Sequence, residues 1–329
     1  MIRWFRKLSL FRRVLLGVVI VLLLCLGYLA LFPVGQRPDH SFNTAVQNPS
    51  YTNSHPVLTF DEGHNNAHSV SGGYAPLTNL MRADGYDVRV RKGAFTADGL
   101  RGTDVLMIVN ADGGTNPKLF GFNLEPLRKG VRGSPAFTDD EVRAIQEWVA
   151  AGGSLLLVAD HAPSGTAASG LAATFGVKMH GGFTEAANQY QGQPDPSIIE
   201  FTTENGLLAE HPIMKGGRAD ERVGRVRSFT GQSLDGPPGS SLLRLPASAI
   251  EARPIPPDRV GTEPAHPPAG AAQAVAFEFG RGRVVVLGEA AMITAQIDER
   301  GRKFGMNQPG IDNRQFALNV IHWLSRLLD

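Results

Sequence analysis

Four short apolar runs along the chain each end abruptly in a cluster of polar residues. Short β-branched and leucine-rich runs of this kind are typical of strands buried on both faces, and hence of a parallel sheet covered by helices. In open α/β sheets, ligands bind outside the carboxyl ends of the strands. We therefore expect the four polar clusters to meet at one sheet edge and to mark the functional site. The runs start at Val57, Val105, Leu155 and Val284.

Helix signals alternate with these runs. Thr138 is followed three residues later by Glu141, which is the capping-box pattern of a helix start, and Gly152 and Gly153 end that helix before the strand from Ser154 to Val158. Alternation of strand, helix and strand is typical of doubly wound folds. We predict an α/β protein with a flavodoxin-like, mostly parallel sheet flanked by helices and preceded by one N-terminal transmembrane helix.

The predicted transmembrane helix is an uncharged apolar stretch of 19 residues, Val14 to Phe32, which is long enough to cross a bilayer. Basic residues before it favour a cytoplasmic amino terminus and a main domain that is periplasmic or extracellular. A cleaved signal peptide is the alternative. Because Tyr28 stands two residues before Ala30, no small-x-small cleavage site is present there, which favours an uncleaved anchor.

Composition and the predicted anchor divide the chain into a basic tail (1–13), the membrane span (14–32), a linker (33–54) and an α/β domain (55–329) with an irregular insertion around 181–270. Five basic residues precede the span, which leaves 27 basic against 31 acidic residues in the remainder. That balance gives no electrostatic footprint for nucleic acid. We expect the lipid bilayer, through residues 14–32, and a small polar ligand as partners, and the sequence leaves protein partners open.

The cysteine content excludes several chemistries. Cys25 is the only cysteine and lies within the predicted membrane span. The main domain therefore has no disulfide, no thiolate nucleophile and no cysteine metal ligand.

The cluster after the first run contains Asp61, His64 and His68. His-x-x-x-His spacing places two imidazoles on one helical face, as in zinc sites, although Asn65 stands where the metalloprotease motif has its glutamate base. With His161, these residues form a candidate divalent-metal set that would activate water. The alternative is a loop whose polar side chains bond backbone groups and cap the next helix.

The clusters after the third and fourth runs supply the catalytic candidates. Asp160 and His161 follow the third run, and Glu289 follows the fourth. His161 would act as a general base that a nearby carboxylate orients. A buried glutamate such as Glu289 needs a polar partner, and it is either a ligand contact or the cap of the next helix.

Several amide and charged side chains complete the candidate list. We name as ligand-binding candidates Asp61, His64, His68, Asn110, Asp112, Asn307, Asn313 and Arg314. For the amide-rich segment that contains the last three, the alternative is that Asp312 and Gln315 form a helix capping box.

The order of these motifs resembles the class I glutamine amidotransferase-like superfamily, in an uncharacterised, membrane-anchored branch that lacks the catalytic cysteine. The resemblance spans most of the chain from His55 onward. It rests on segments 57–68, 104–109, 148–161, 211–213, 280–288 and 312–324.

The resemblance implies the fold and the position of a pocket, but not the family's reaction. In true amidotransferases, the strand after the Gly-Gly helix end leads to a nucleophilic cysteine, served by a later histidine and glutamate. This chain has Asp160 and His161 in that region, so glutaminase activity is not carried over. Fold alone does not give function.

Three functions remain open at this point. The leading hypothesis is a ligand-binding or accessory module of the cell envelope. The second is a hydrolase, metal-assisted or using His161 as base, that acts on an envelope sugar or peptide derivative. The third is a structural scaffold of a membrane complex.

Overall fold

The structure is a computed structural model that describes residues 9–31, 35–114, 118–119, 122–123, 129–186, 195–252, 267–268 and 270–329. Its strands are β1 (Arg37–Pro38), β2 (Val57–Asp61), β3 (Asp87–Arg91), β4 (Val105–Val109), β5 (Lys118–Leu119), β6 (Phe122–Asn123), β7 (Ser154–Val158), β8 (Lys178–Met179), β9 (Phe183–Ala186), β10 (Ile198–Thr202), β11 (Arg225–Phe229), β12 (Leu234–Asp235), β13 (Ser241–Arg244), β14 (Ala249–Ala252), β15 (Ala272–Phe279), β16 (Gly282–Leu287), β17 (Ala295–Ile297) and β18 (Lys303–Gly305).

The α-helices within those residues are α1 (Leu10–Leu31), α2 (Ala75–Ala83), α3 (Ala97–Leu100), α4 (Asp139–Ala150), α5 (Ser164–Thr174), α6 (Pro212–Lys215) and α7 (Asn313–Leu324). Short 3-10 helices lie at Ala219–Glu221 and Ala291–Ile293.

A nine-stranded sheet forms the centre of the molecule, in the order β3-β2-β4-β7-β16-β15-β12-β8, with β13 also paired to β15. The pairs from β3 to β16 are parallel. The four apolar runs of the sequence are therefore β2, β4, β7 and β16, which are consecutive neighbours. Their carboxyl ends lie at one edge, as predicted.

The other half of the sheet corrects the predicted fold class. Strands β15, β12, β13 and β8 all pair antiparallel, and smaller antiparallel sheets join β1 with β17 and β18, β10 with β11, β14 with β9, and β5 with β6. Two residues connect β15 to β16, and so short a connection permits only antiparallel pairing. The prediction of a mostly parallel, flavodoxin-like sheet is therefore wrong: the sheet is mixed.

Helices cover both faces of the parallel half. Alternate residues of β4 and β7 point to opposite faces, and both sets are fully buried. One face packs against α2 and α7, and the other against α4 and α5. The capping box of α4 forms as predicted, since Thr138 accepts from the Glu141 N–H while the Glu141 carboxylate accepts from the Thr138 N–H.

The structure does not support the predicted membrane span. Helix α1 covers most of residues 14–32. A spanning helix needs about 20 apolar residues. Within the described residues, no helix combines the length and apolarity that crossing a membrane requires. The predicted transmembrane helix is therefore wrong, and with it the cytoplasmic amino terminus and the periplasmic or extracellular domain. Contact of residues 14–32 with a lipid bilayer stays a prediction.

The predicted boundaries fall partly outside the described residues. Residues 1–8 of the basic tail lie outside them, as do 187–194, 253–266 and 269 of the predicted irregular insertion. The described parts of that insertion contain regular structure, because β10 pairs with β11 and β9 pairs with β14.

The start of β16 approaches the end of α4 so closely that only glycine fits at position 282. A Cβ there would lie 2.1 Å from the Val149 carbonyl oxygen and 2.2 Å from that of Gly153. Both neighbours are backbone atoms, so relief would require the helix or the strand to move.

We predict that Gly282→Ala lowers the free energy of unfolding by about 2–3 kcal/mol, because it overpacks this contact. Urea denaturation would measure the change. Gly93→Ala is the matched control, since a Cβ at Gly93 meets nothing within 4 Å. Equal stability of the two variants would contradict the close approach.

Candidate functional site

A cavity of about 330 Å³ lies at the carboxyl ends of β7 and β16. Four predicted site residues line it: His68, Asp160, His161 and Glu289. They come from the loop after β2 and from the ends of β7 and β16, so the parallel pairing of these strands brings them together.

Asp160 ties three strand ends together. One carboxylate oxygen accepts from the Asn110 amide at 2.7 Å, and the other accepts from the Ala290 N–H at 2.6 Å. The Asn110 side-chain oxygen in turn accepts from the Asp160 N–H at 2.9 Å. Asn110 follows β4 and Ala290 follows β16, so this carboxylate fixes the ends of β4, β7 and β16 relative to one another. Asn110 positions Asp160 and does not itself line the cavity.

Glu289 is buried beside Asp160, with 2% of its surface exposed. Its two oxygens accept from the N–H groups of Ala291 and Met292, which begin a 3-10 helix. The predicted capping alternative is therefore realised while Glu289 also lines the cavity. Burial and the charge of Asp160 raise the pKa of Glu289 well above its ordinary value, although these backbone bonds oppose the rise.

His161 uses one ring nitrogen, Nδ1, for a backbone hydrogen bond and leaves the other, Nε2, for contacts in the cavity. Its Nδ1 lies 2.8 Å from the Ala162 carbonyl oxygen, which can only accept, so Nδ1 carries the proton. In the neutral ring Nε2 is then an acceptor, and it has no hydrogen-bond partner among the described residues. The ring packs on Phe183 with centroids 3.9 Å apart.

His68 packs against the Tyr74 ring, with centroids 5.1 Å apart. Burial lowers the pKa of His68, and the charge of Asp160 opposes this shift. The Tyr74 hydroxyl donates to the Ala290 carbonyl oxygen at 2.7 Å. Tyr74 therefore braces the same turn that donates to Asp160, a role that the sequence pattern did not reveal.

The wall facing these groups comes from β11, β17 and β18, and it contains Phe229, Gln296 and Phe304. Gly231 lets this wall approach the strand ends, because its φ is +114° and a Cβ would lie 2.7 Å from that of Glu289. No residue of this wall was predicted. Antiparallel pairing with distant segments places it, and the short-range pattern does not encode that pairing.

Gln232 is a further positioning residue that the sequence did not indicate. Its amide nitrogen donates to the carbonyl oxygens of Ala159 and Asp160 at 2.8 and 2.9 Å, and its oxygen accepts from the Gly181 N–H at 2.7 Å. Gln232 is fully buried. It therefore fixes the backbone of the turn that carries Asp160 and His161.

Asp61 and His64 lie in a separate cluster. His64 Nδ1 lies 2.8 Å from an Asp61 oxygen, its Nε2 lies 2.9 Å from Glu141, and its ring stacks on Phe95. Asp61 also accepts from the Asn66 amide. Both His64 nitrogens are occupied, so His64 is not available as a metal ligand. The loop alternative of the sequence describes this cluster better.

The structure does not assemble the predicted metal set. Asp61 and Glu141 both contact the His64 ring, whereas His68 and His161 line the cavity. Among the residues that the structure describes, no three His, Cys, Asp or Glu side chains are arranged to hold a metal ion.

The remaining ligand-binding candidates have structural partners away from the cavity. The Asp112 carboxylate accepts from the Gly133 N–H. Asn307 donates to Asp39, and Asn313 bonds both backbone groups of Arg227. Arg314 donates to the Ala45 carbonyl oxygen beside a different cavity. These four predictions are not supported as contacts of the strand-end site.

The Asp61–His64–Glu141 cluster makes stability depend on pH. Burial lowers the pKa of His64, but the hydrogen bond and charge of Asp61, joined by Glu141, outweigh it and raise that pKa above 6.5. Burial raises the pKa of Glu141, but hydrogen bonds from Thr138 and His64 outweigh this effect and lower the pKa to about 2. The contribution of His64 is full below pH 6.5 and is lost as pH rises through its folded pKa. The contribution of Glu141 is full above pH 4.5 and is lost as pH falls toward about 2.

We predict that His64→Gln lowers the free energy of unfolding by about 3 kcal/mol between pH 4.5 and 6.5, because it leaves Asp61 buried without its cation. The deficit should shrink at higher pH. Urea denaturation over a pH series would measure it, with exposed His40→Gln as control. A deficit that does not change with pH would argue against a protonated His64.

Comparison with solved structures identifies a shared fold and no more. The mmIFT52 N-terminal domain superposes with a TM-score of 0.55 at 13% identity, over 82% of this chain and 97% of that domain. A ThuA-like protein from Bacteroides uniformis gives 0.39 at 12% identity, over 87% and 95% of the two chains. The cytoplasmic protein STM1381 from Salmonella typhimurium LT2 gives 0.40 at 15% identity, over 82% and 99%. No protein-family model and no curated protein matches this sequence. The first comparison shows that the chain shares its fold with the mmIFT52 N-terminal domain.

Proposed function

We propose that this protein binds a small polar ligand in the cavity at the carboxyl ends of β7 and β16. One observation carries the proposal: Asp160, His161 and Glu289 converge on one cavity, and among the described residues no cation pairs with either carboxyl group. Glu289 is buried and Asp160 is half-buried, and carboxyl groups removed from water need polar partners. A polar ligand would add a partner to the neutral donors that already bond them.

The size and walls of the cavity suit such a ligand. A volume of about 330 Å³ lies at the lower end of the range for small-molecule sites, roughly 300–1,000 Å³. Phe229 and Phe304 supply apolar surface opposite the polar groups. The resemblance to the amidotransferase-like superfamily remains part of this proposal. It supports a pocket at this edge, without glutaminase activity, because the chain's only cysteine is Cys25.

We predict that a ligand-observed NMR screen of monosaccharides, amino sugars, amino acids and small carboxylic acids finds binders, and that Asp160→Asn weakens them at least tenfold. The loss is expected because a hydrogen bond to a charged group contributes about 1.5–3 kcal/mol.

The matched control is Asp140→Asn, which changes a carboxylate with 89% side-chain exposure. Binding that Asp160→Asn leaves unchanged would place the ligand elsewhere. A screen that finds no binder would contradict the proposal and favour the scaffold hypothesis.

A hydrolase is the second candidate, and the tautomer of His161 favours it. With Nδ1–H held by the Ala162 carbonyl oxygen, Nε2 is ready to take a proton from an attacking water. The raised pKa of Glu289 favours its protonated form, and in that form it would return a proton to the leaving oxygen of an ester or glycoside. A carboxyl group of raised pKa and an imidazole that holds its proton on Nδ1 would form an acid–base pair of this kind.

We predict that, if the protein hydrolyses p-nitrophenyl acetate or p-nitrophenyl glycosides, His161→Ala lowers kcat about 100-fold or more. Exposed His40→Ala should leave the rate unchanged. Turnover that survives in His161→Ala would eliminate His161 as the base.

A further inference from the structure

We infer that the ligand of this cavity carries a primary ammonium group, which binds between Asp160, Glu289 and Gln296. This inference rests on the proposed function, since it assigns the chemical class of ligand to the same cavity. The cavity wall contains hydrogen-bond acceptors that no described donor fully uses.

The first observation is an unused buried acceptor. Gln296 is 2% exposed and lines the cavity, and its side-chain oxygen has no hydrogen-bond partner in the part of the chain that the structure describes. A buried amide oxygen without a partner is uncommon in folded proteins and is destabilising. A donor on the ligand would satisfy it.

The second observation is that two carboxyl groups lack a countercharge. Among the described residues, Asp160 receives only neutral donors, the Asn110 amide and the Ala290 N–H. From the same residues, Glu289 receives only backbone N–H groups. No lysine or arginine among the described residues forms an ion pair with either carboxyl group. Each carboxylate oxygen has room for another donor.

Among the described residues, the two imidazoles beside these carboxyl groups form no ion pair with them. His68 has its pKa lowered by burial, which favours the neutral ring. His161 uses Nδ1–H on the Ala162 carbonyl oxygen, which leaves Nε2 as a further acceptor in the neutral ring. The inner end of the cavity is therefore rich in acceptors and poor in donors.

The basic residues of the cavity lie at its outer end. Arg302 pairs with Asp298 at 2.6 Å, and Lys303 is exposed to solvent. Exposed Asp195 lines the same end. Water and salt screen charges at that position. The exposed basic residues therefore do not neutralise the carboxyl groups of Asp160 and Glu289.

An ammonium group fits this arrangement better than a metal ion. The described carboxylate and imidazole groups do not converge on a common metal position. An ammonium group has three donors that can reach acceptors in different directions. The rings of Phe229 and Phe304 line the cavity, with their centroids 6.0 Å apart. Aromatic rings attract a cation, and they also cover an apolar ligand surface.

The size of the cavity limits the ligand. At ~30 Å³ per liquid water, about 330 Å³ corresponds to roughly eleven waters, which suits an amino sugar or a small amino acid derivative. D-glucosamine, D-glucose and D-glucuronate are matched probes of this size, because they present a cation, a neutral hydroxyl and an anion on one ring.

The test is to titrate the full chain with each of the three probes by NMR, at a pH where the amine is protonated. We expect glucosamine to bind at least about tenfold more tightly than glucose, and glucuronate to bind most weakly. Asp160→Asn should remove the preference for glucosamine, whereas the surface control Asp140→Asn should keep it.

Gln296 provides an independent variant pair away from the strand ends. Gln296→Glu adds a carboxylate and should raise the preference for glucosamine over glucose. Gln296→Leu removes the acceptor and should weaken the binding of both glucosamine and glucose. These variants keep the test valid if Asp160→Asn fails to fold.

Two results would overturn the inference. If glucose or glucuronate binds as tightly as glucosamine, the ammonium assignment is wrong while the proposed binding function stands. If none of the three probes binds, the assignment is also contradicted, and the broader screen decides the proposed function separately.

Discussion

The bridge that the Asp160 carboxylate forms between Asn110 and Ala290 is the interaction on which the site depends. Parallel pairing brings the ends of β4, β7 and β16 to one edge, but pairing alone leaves the loops beyond them free to diverge. The carboxylate closes that gap, since it accepts from the Asn110 amide on one side and the Ala290 N–H on the other. Gln232 fixes the same turn from the antiparallel half of the sheet. The cavity is therefore built on a mixed sheet, with strand ends on one wall and antiparallel elements on the other.

The geometry of this bridge also explains the electrostatics of the cavity. Asp160 uses neutral donors to hold the strand ends, so its charge stays uncompensated and acts on its neighbours. Glu289 has a raised pKa partly for this reason, and the same charge opposes the lowered pKa of His68. By contrast, the Asp61–His64–Glu141 cluster places an imidazole between its two carboxylates. One strand-end cluster therefore stabilises the fold, while the other remains open to a ligand.

The sequence predicted the parallel half of the sheet because each strand there is a continuous apolar run followed by a polar cluster. The same logic located Asp160, His161 and Glu289 together. It did not separate His64 from the cavity residues, because a histidine that stacks on Phe95 between two carboxylates has the same local pattern as a metal ligand. It did not predict the pairing of β12, β13 and β8, which joins segments far apart in sequence. Gln296 lies in β17 of the separate β1-β17-β18 sheet and has no local signal.

The most direct test of this account is the pKa of the Glu289 side chain, measured by carboxyl 13C NMR in the wild-type protein and in Asp160→Asn. If an uncompensated Asp160 charge lies beside a buried Glu289, the pKa in the wild type lies well above the ordinary value of 4.5 and falls when the charge is removed. A wild-type pKa near 4.5 that Asp160→Asn leaves unchanged would contradict the account. The two carboxyl groups would then not form one charged site at the strand ends.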